Sequence, residues 1–285
     1  MPPLAKRYLL LSKYLILNTK IPDTIYQMDY IFAIIAGAIQ GLTEFLPVSS
    51  TGHLIIFEHL FGASQKNFGL AFDASLHLGT LIAVLIYFAK DYLEVLNFKN
   101  GLFVKLAIGT APAALLGLLF ENSIETSFRS LMLIGLALIA FSPVMVFAEI
   151  YGKKNKQSQI SPIHSLIIGV AQSIALIPGI SRSGATISMG LFLGLRRDQA
   201  AKYAFMLSGP IIAGAGAKKF LEVLTSKNLA GQDIAFFACG MLSAAIFGYL
   251  TIKYFIKFLQ INNMFPFVIY RVVLGIILIA SAFSL

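Results

Sequence analysis

Charged side chains are scarce in this chain: Asp, Glu, Lys and Arg make up 12% of its 285 residues. A soluble domain runs nearer a quarter, so a water-exposed globular protein is excluded. No hydrophilic stretch is long enough to form a separate soluble domain. Cysteine is nearly absent too. The single Cys239 excludes an intramolecular disulfide and a cysteine-rich metal site, and its apolar setting marks it as a small packing residue. Acidic residues are fewer than basic ones, 13 against 22, for a net charge of +9. That balance does not call for a nucleic-acid partner. Lys and Arg gather in short loops between apolar runs, as the positive-inside rule expects of a membrane protein. What the chain has in abundance is apolar: 58% hydrophobic residues and a mean hydropathy of +0.81.

Apolar runs able to cross a bilayer, about 17–25 residues, recur near 30–62, 67–89, 102–120, 130–150, 163–195, 199–217, 232–252 and 264–284. Six read as ordinary spans. The segments 30–62 and 163–195 differ, each having two short apolar arms around a Pro/Gly/Ser-rich centre. Pro47 and Gly52 in one, and Pro178, Gly179 and Gly184 in the other, break a helix there. Non-helical backbone persists at membrane depth only where protein or a water-filled cavity surrounds it. Two re-entrant helix-loop-helix hairpins are therefore expected. Asp29 and Glu58 flank the first; Lys153, Lys154, Lys156, Arg196 and Arg197 flank the second. The first should enter from outside and the second from the cytoplasm.

The expected fold is an all-α polytopic membrane protein, six transmembrane helices plus two re-entrant hairpins in an inverted-topology repeat. It forms one integral domain over 28–285, with halves of about 28–150 and 160–285. Such repeats build sites at the midplane, where broken helices meet. Residues 1–27 form an N-terminal extension of unassigned status. Lys6 and Arg7 precede a Leu run as in a signal peptide, but Lys13 interrupts it and no small-residue cleavage site follows. A leader on the membrane surface and a start at Met28 are the alternatives.

The two centres carry related polar motifs. A shift of 132 positions lays Gln40 on Gln172, Ser49 on Ser181, Thr51 on Ser183 and Gly52 on Gly184. The first copy adds Glu44, Ser50 and His53; the second adds Arg182 and Thr186. A charge at this depth costs about 2.5–3.5 kcal/mol on insertion scales, so Glu44 and Arg182 either pair with each other or serve a charged ligand. The guanidinium of Arg182 is a planar fork suited to two phosphate oxygens. Ser181, Ser183 and Thr186 surround it, and a half-helix starting near Gly184 would aim its positive end at the same anion. His53 follows Ser50 by three residues, which places them on one helical side. It can serve as base for the Ser50 hydroxyl or attack phosphorus itself. Glu44 can orient the imidazole or hold a divalent cation. Asp73 and His77, an i, i+4 pair, share a face turned to the bundle interior, as packing partners or as a support to the site. Arg271 is expected to snorkel toward lipid headgroups.

The run from Glu44 to His53, with that from Pro178 to Thr186, closely resembles the bacterial undecaprenyl-diphosphatase family, the bacitracin-resistance proteins. The resemblance covers Met28 to the C-terminus. It implies the same fold and the hydrolysis of undecaprenyl pyrophosphate to undecaprenyl phosphate and inorganic phosphate, which recycles the carrier for peptidoglycan and confers bacitracin resistance. By position, Ser50 and His53 become nucleophile and base candidates, Glu44 their support and Arg182 the pyrophosphate clamp. Gln40, Ser49, Thr51, Ser181, Ser183 and Thr186 are left to bind substrate. The family implies a calcium or magnesium ion, with Glu44 its ligand, a bacterial plasma-membrane location and a site open to the outer face. Its motif begins Glu/Gln-x-x-x-Glu; with Gln40 the chain has one carboxylate there, not two. The partners implied are the polyprenyl pyrophosphate lipid and the bilayer; monomer and homodimer both stay open. A secondary transporter or lipid flippase is the competing reading, since broken inverted repeats are frequent in transporters.

Overall fold

The computed structural model describes residues 23–61, 70–95, 101–127, 130–152, 159–225 and 232–284. The expected leader before Asp23, and Lys66, Lys99, Arg129, Lys153, Lys154, Lys156 and Lys227, lie outside them. Among the described residues there are eleven helices: α1 (Asp23–Phe45), α2 (Ser50–Phe61), α3 (Leu70–Tyr87), α4 (Ala89–Val95), α5 (Leu102–Ser127), α6 (Leu131–Tyr151), α7 (Pro162–Ile174), α8 (Arg182–Phe192), α9 (Arg197–Thr225), α10 (Gln232–Ile261) and α11 (Phe265–Ser284). The chain breaks between α1 and α2 and between α7 and α8, at the two Pro/Gly/Ser centres.

Four stretches are long and apolar enough to cross a membrane: Leu102–Phe120, Leu131–Tyr151, Ile234–Ile261 and Phe265–Phe283. A fifth counts if Phe72–Tyr87 and Ala89–Val95, bent by 81°, are one span. Leu115, Leu118, Ile246 and Ile276 on these helices are more than half exposed. Outward apolar faces of this extent suit lipid and not water. The chain is an all-helical, multi-pass membrane protein.

The count falls short of six for physical reasons in α3 and α9. Beyond Tyr87 the chain turns into α4, where Tyr92 donates to the Met206 carbonyl at 2.6 Å and Asp91 pairs with Lys202 at 2.5 Å. Both contacts pull α4 across α9. Helix α9 itself is diluted by Gln199, Lys202, Ser208, Gly209 and Pro210. Protein surrounds its first half, where Ala200, Ala201, Ala204, Phe205 and Leu207 are buried, so no lipid-facing stripe is needed there.

Packing pairs the two halves of the chain. Helix α1 lies on α10 and α7 on α5, while α3 contacts α10 and α5 contacts α9. Two glycines 132 positions apart permit close crossings. A methyl group at Gly37 would overlap the Gly240 carbonyl oxygen, and one at Gly169 would overlap that of Gly109. Small residues let membrane helices approach this way. At the end of α1, Phe45 meets Phe205 of α9 edge-on, ring centroids 5.2 Å apart. That contact anchors the turn on which Glu44 sits.

Candidate active site

Ser49 and Ser181 end the two breaks with φ of 71° and 76°, the only non-glycine residues in the left-handed region among those described. Each such residue costs of order 1–3 kcal/mol unless its surroundings hold it. Here hydrogen bonds do. Ser181 caps α8, its Oγ accepting from the Gly184 amide at 3.2 Å and its carbonyl from the Ala185 amide at 2.9 Å. The Ser49 carbonyl accepts from the His53 amide at 3.4 Å and from His53 Nδ1 at 2.7 Å.

The tips are also bonded to one another. Ser49 Oγ accepts from the Gly179 amide at 3.2 Å, and Ser183 Oγ donates to the Leu46 carbonyl at 2.9 Å. That bond uses the one Ser183 hydroxyl proton, so the Ser181 hydroxyl donates to Ser183 across 3.1 Å. Arg271 completes the junction. Its guanidinium donates to the carbonyls of Pro47 at 3.2 Å, Gly179 at 2.9 Å and Leu138 at 3.3 Å. The expectation of snorkelling is corrected: Arg271 is fully buried, because the carbonyls freed by both helix breaks need a donor that lipid cannot supply.

Glu44 lies at the centre. Its Oε1 accepts from Arg182 Nη2, and its Oε2 from Gln40 Nε2 at 3.0 Å and Ser50 Oγ at 2.6 Å. His77 Nε2 stands 3.8 Å from Oε2. The other fork nitrogen of Arg182, Nη1, donates to the Ser208 carbonyl at 3.5 Å. The expected Glu44–Arg182 pairing is therefore present, and it joins the tips directly.

Above this carboxylate opens a cavity of about 360 Å³, a size usual for a small-molecule site. Glu44, Ser49, Ser50, Thr51, Ser181 and Arg182 line its polar end, with Asp73, His77 and Gln172. Ala113, Leu176, Ile177, Ile211, Ile212 and Ala215 make the rest apolar. The cavity is therefore amphipathic, polar around Glu44 and Arg182 and apolar beyond.

Residues 33–277 match the family described as bacitracin resistance protein BacA. The chain belongs to that family. Among proteins named undecaprenyl-diphosphatase, that of Elusimicrobium minutum is 44% identical over 266 residues, covering 90% of this chain and 99% of its own. That of Thermodesulfovibrio yellowstonii is 43% identical over 252 residues, 88% of this chain and 97% of its own. That of Rubrobacter xylanophilus is 39% identical over 272 residues, 89% and 98%. Both tips, His77 and Arg271 fall inside the family match.

The expected site residues of this family member divide between the cavity and its supports. Ser50 and His53 share α2 but do not bond. Ser50 is the first residue of α2 and turns back to Glu44. His53 Nδ1 donates to the Ser49 carbonyl, and Nε2 lies 2.6 Å from the Tyr270 hydroxyl, the two rings stacked 5.6 Å apart. With both nitrogens engaged, His53 faces α11 and is not among the cavity-lining residues. Gln40 is fully buried behind Glu44. Thr186 donates to the Arg182 carbonyl at 2.8 Å and Ser183 to Leu46, so both brace the tips. Arg271 and Tyr270 were not read from the sequence as site residues, and a lone arginine in an apolar run carries no sign of which carbonyls it will meet.

While Arg182 holds Glu44, that carboxylate is not open to a calcium or magnesium ion. Both Glu44 oxygens already accept from protein donors, one of them a cation. Among the described residues no three His, Cys, Asp or Glu side chains cluster as ligands.

Proposed function

We propose that this chain hydrolyses undecaprenyl pyrophosphate to undecaprenyl phosphate and inorganic phosphate, recycling the lipid carrier of cell-wall synthesis and raising tolerance to bacitracin. The observation that carries this reading is the convergence of a serine hydroxyl and an arginine fork, one from each tip, on one buried carboxylate at the head of an amphipathic cavity. The name carried by the relatives supports it.

In the free enzyme Arg182 is held by Glu44. An incoming pyrophosphate offers oxygens that match the same planar fork, and Arg182 moves to them. Glu44 keeps the Ser50 hydroxyl, donated at 2.6 Å, and becomes the base for it. Attack of Ser50 Oγ on the terminal phosphorus forms the Oγ–P bond and breaks the bond to the bridging oxygen. The hydroxyl proton passes to Glu44, and undecaprenyl phosphate departs with the bridging electron pair. Water then takes the phosphoryl group from Ser50, and Glu44 returns the proton to Oγ. Arg182 and the positive end of the α8 dipole oppose the charge spread over the phosphoryl oxygens, the main source of rate in such transfers.

The same proposal assigns six spans, α3 with α4, α5, α6, α9, α10 and α11, and two hairpins in an inverted repeat in the bacterial plasma membrane. The 132-residue relation of the tips, the matching crossings of Gly37 and Gly169, and the exchange of α1–α10 for α7–α5 support it. The site would open to the outer face.

The test is phosphate release from a C55 or C15 pyrophosphate by purified protein in detergent. Ser50→Ala and Arg182→Ala should each lower it about 10²–10³-fold or more. Flux of a polyprenyl phosphate across liposomes without hydrolysis would replace the enzyme by a transporter.

A further inference from the structure

His77 reaches the cavity from α3, outside both polar motifs. Its Nδ1 lies 2.8 Å from the Asp73 carbonyl. A carbonyl only accepts, so Nδ1 is the donor and the ring is fixed in orientation. The remaining nitrogen, Nε2, stands 3.8 Å from Glu44 Oε2, outside hydrogen-bond reach but close enough for ion pairing. Arg182 holds the other oxygen of that carboxylate. The two oxygens of Glu44 thus have a nitrogen-bearing side chain on each flank.

Charge makes the arrangement incomplete for a pyrophosphate head without His77. Of the charged side chains lining the cavity, Glu44 and Asp73 are acidic and Arg182 is the single cation. A headgroup bringing several negative charges would meet one lining cation, which Glu44 already holds. His53 cannot relieve this, with both ring nitrogens engaged on Ser49 and Tyr270.

We propose that His77 is a further substrate-binding residue that, as the imidazolium, donates through Nε2 to an oxygen of the terminal phosphoryl group, opposite Arg182, while Nδ1 keeps its bond to the Asp73 carbonyl. The two side chains bracket the phosphorus that Ser50 attacks. This rests on the reading of the cavity as the pyrophosphate site, and its test is a binding measurement that does not require turnover.

In protein carrying Ser50→Ala, which binds without hydrolysing, affinity for farnesyl pyrophosphate is measured by calorimetry with and without a change at His77. His77→Leu should weaken binding about tenfold to a hundredfold, as expected for losing a hydrogen bond to a charged group. His77→Gln, whose amide can donate from nearly the same place, should recover part of it, the hydrogen bond without the charge. With Ser50 intact, the same His77 variants should raise KM more than they lower kcat. If His77→Leu fails to fold, His77→Asn serves, being polar but too short to reach. Unchanged affinity in the leucine or asparagine variant overturns the proposal. So does equal loss in the leucine and glutamine variants, which would mean that the ring only packs. Phosphate release that survives Ser50→Ala would instead overturn the proposed hydrolytic site and leave the affinity comparison standing.

Discussion

Glu44 has four neighbours and two oxygens, and its substitution is the most informative at the residue scale. Glu44→Gln keeps the shape but leaves Arg182 without its charge partner. Breaking such a pair from one side costs about 3–5 kcal/mol when buried; Arg182 retains some exposure, so the lower end is expected. The melting temperature in detergent should fall, and phosphate release should fall at least about a hundredfold because the base for Ser50 is gone. His53 acts differently, through the turn. Its Nδ1 steadies Ser49 in the left-handed region, and Tyr270 steadies His53. Tyr270→Phe keeps the stacked ring and removes the 2.6 Å bond, an effect of about 0.5–1.5 kcal/mol. In a double-mutant cycle on kcat/KM, adding Tyr270→Phe to His53→Ala should change little. Additive losses would separate the two residues.

Between the elements, Arg271 of α11 is the tie that neither tip supplies for itself. Arg271→Met would leave the carbonyls of Pro47 and Gly179 without their donor, each costing about 1–3 kcal/mol, while that of Leu138 keeps the Ser142 hydroxyl at 2.8 Å. The variant should melt lower and lose activity together. Arg271→Lys should not restore it, since an ammonium cannot span three acceptors as the planar fork does. How far such features were legible in the sequence follows from their range. The breaks at Pro47 and at Pro178–Gly179 are local chemistry, and the repeat of Gln40 on Gln172 and Ser49 on Ser181 marked both tips in advance. The pairing of Glu44 with Arg182 was legible as well, because two unlike charges at membrane depth have few alternatives. The 81° turn after Tyr87 was not, since no Pro or Gly marks it and the cause is contact with α9. Nor was the choice between His53 and His77: both carry the i, i+4 pattern that a ring-to-carbonyl bond produces, and only the packing of α3 against the tips distinguishes them.

For the whole molecule, the proposed inverted repeat makes a sidedness prediction. With Cys239 replaced by serine, Lys90→Cys and Arg196→Cys should resist an impermeant maleimide in intact cells, while Lys218→Cys should react. Lys90 and Lys218 labelling from the same side would overturn the arrangement. Cells producing the protein in excess should tolerate more bacitracin, and cells producing the Ser50→Ala form should not. The closed contact of Arg182 with Glu44 has one more consequence. The bilayer around this protein is crowded with phosphodiester lipids, each bearing a diffuse single charge. Such a headgroup competes poorly with a carboxylate already seated on the guanidinium, whereas a pyrophosphate end carries the charge and the paired oxygens to displace it. On the proposed function, the internal ion pair would act as a discriminator, keeping the cavity unresponsive to the commonest anions in its surroundings and opening it to a rare one.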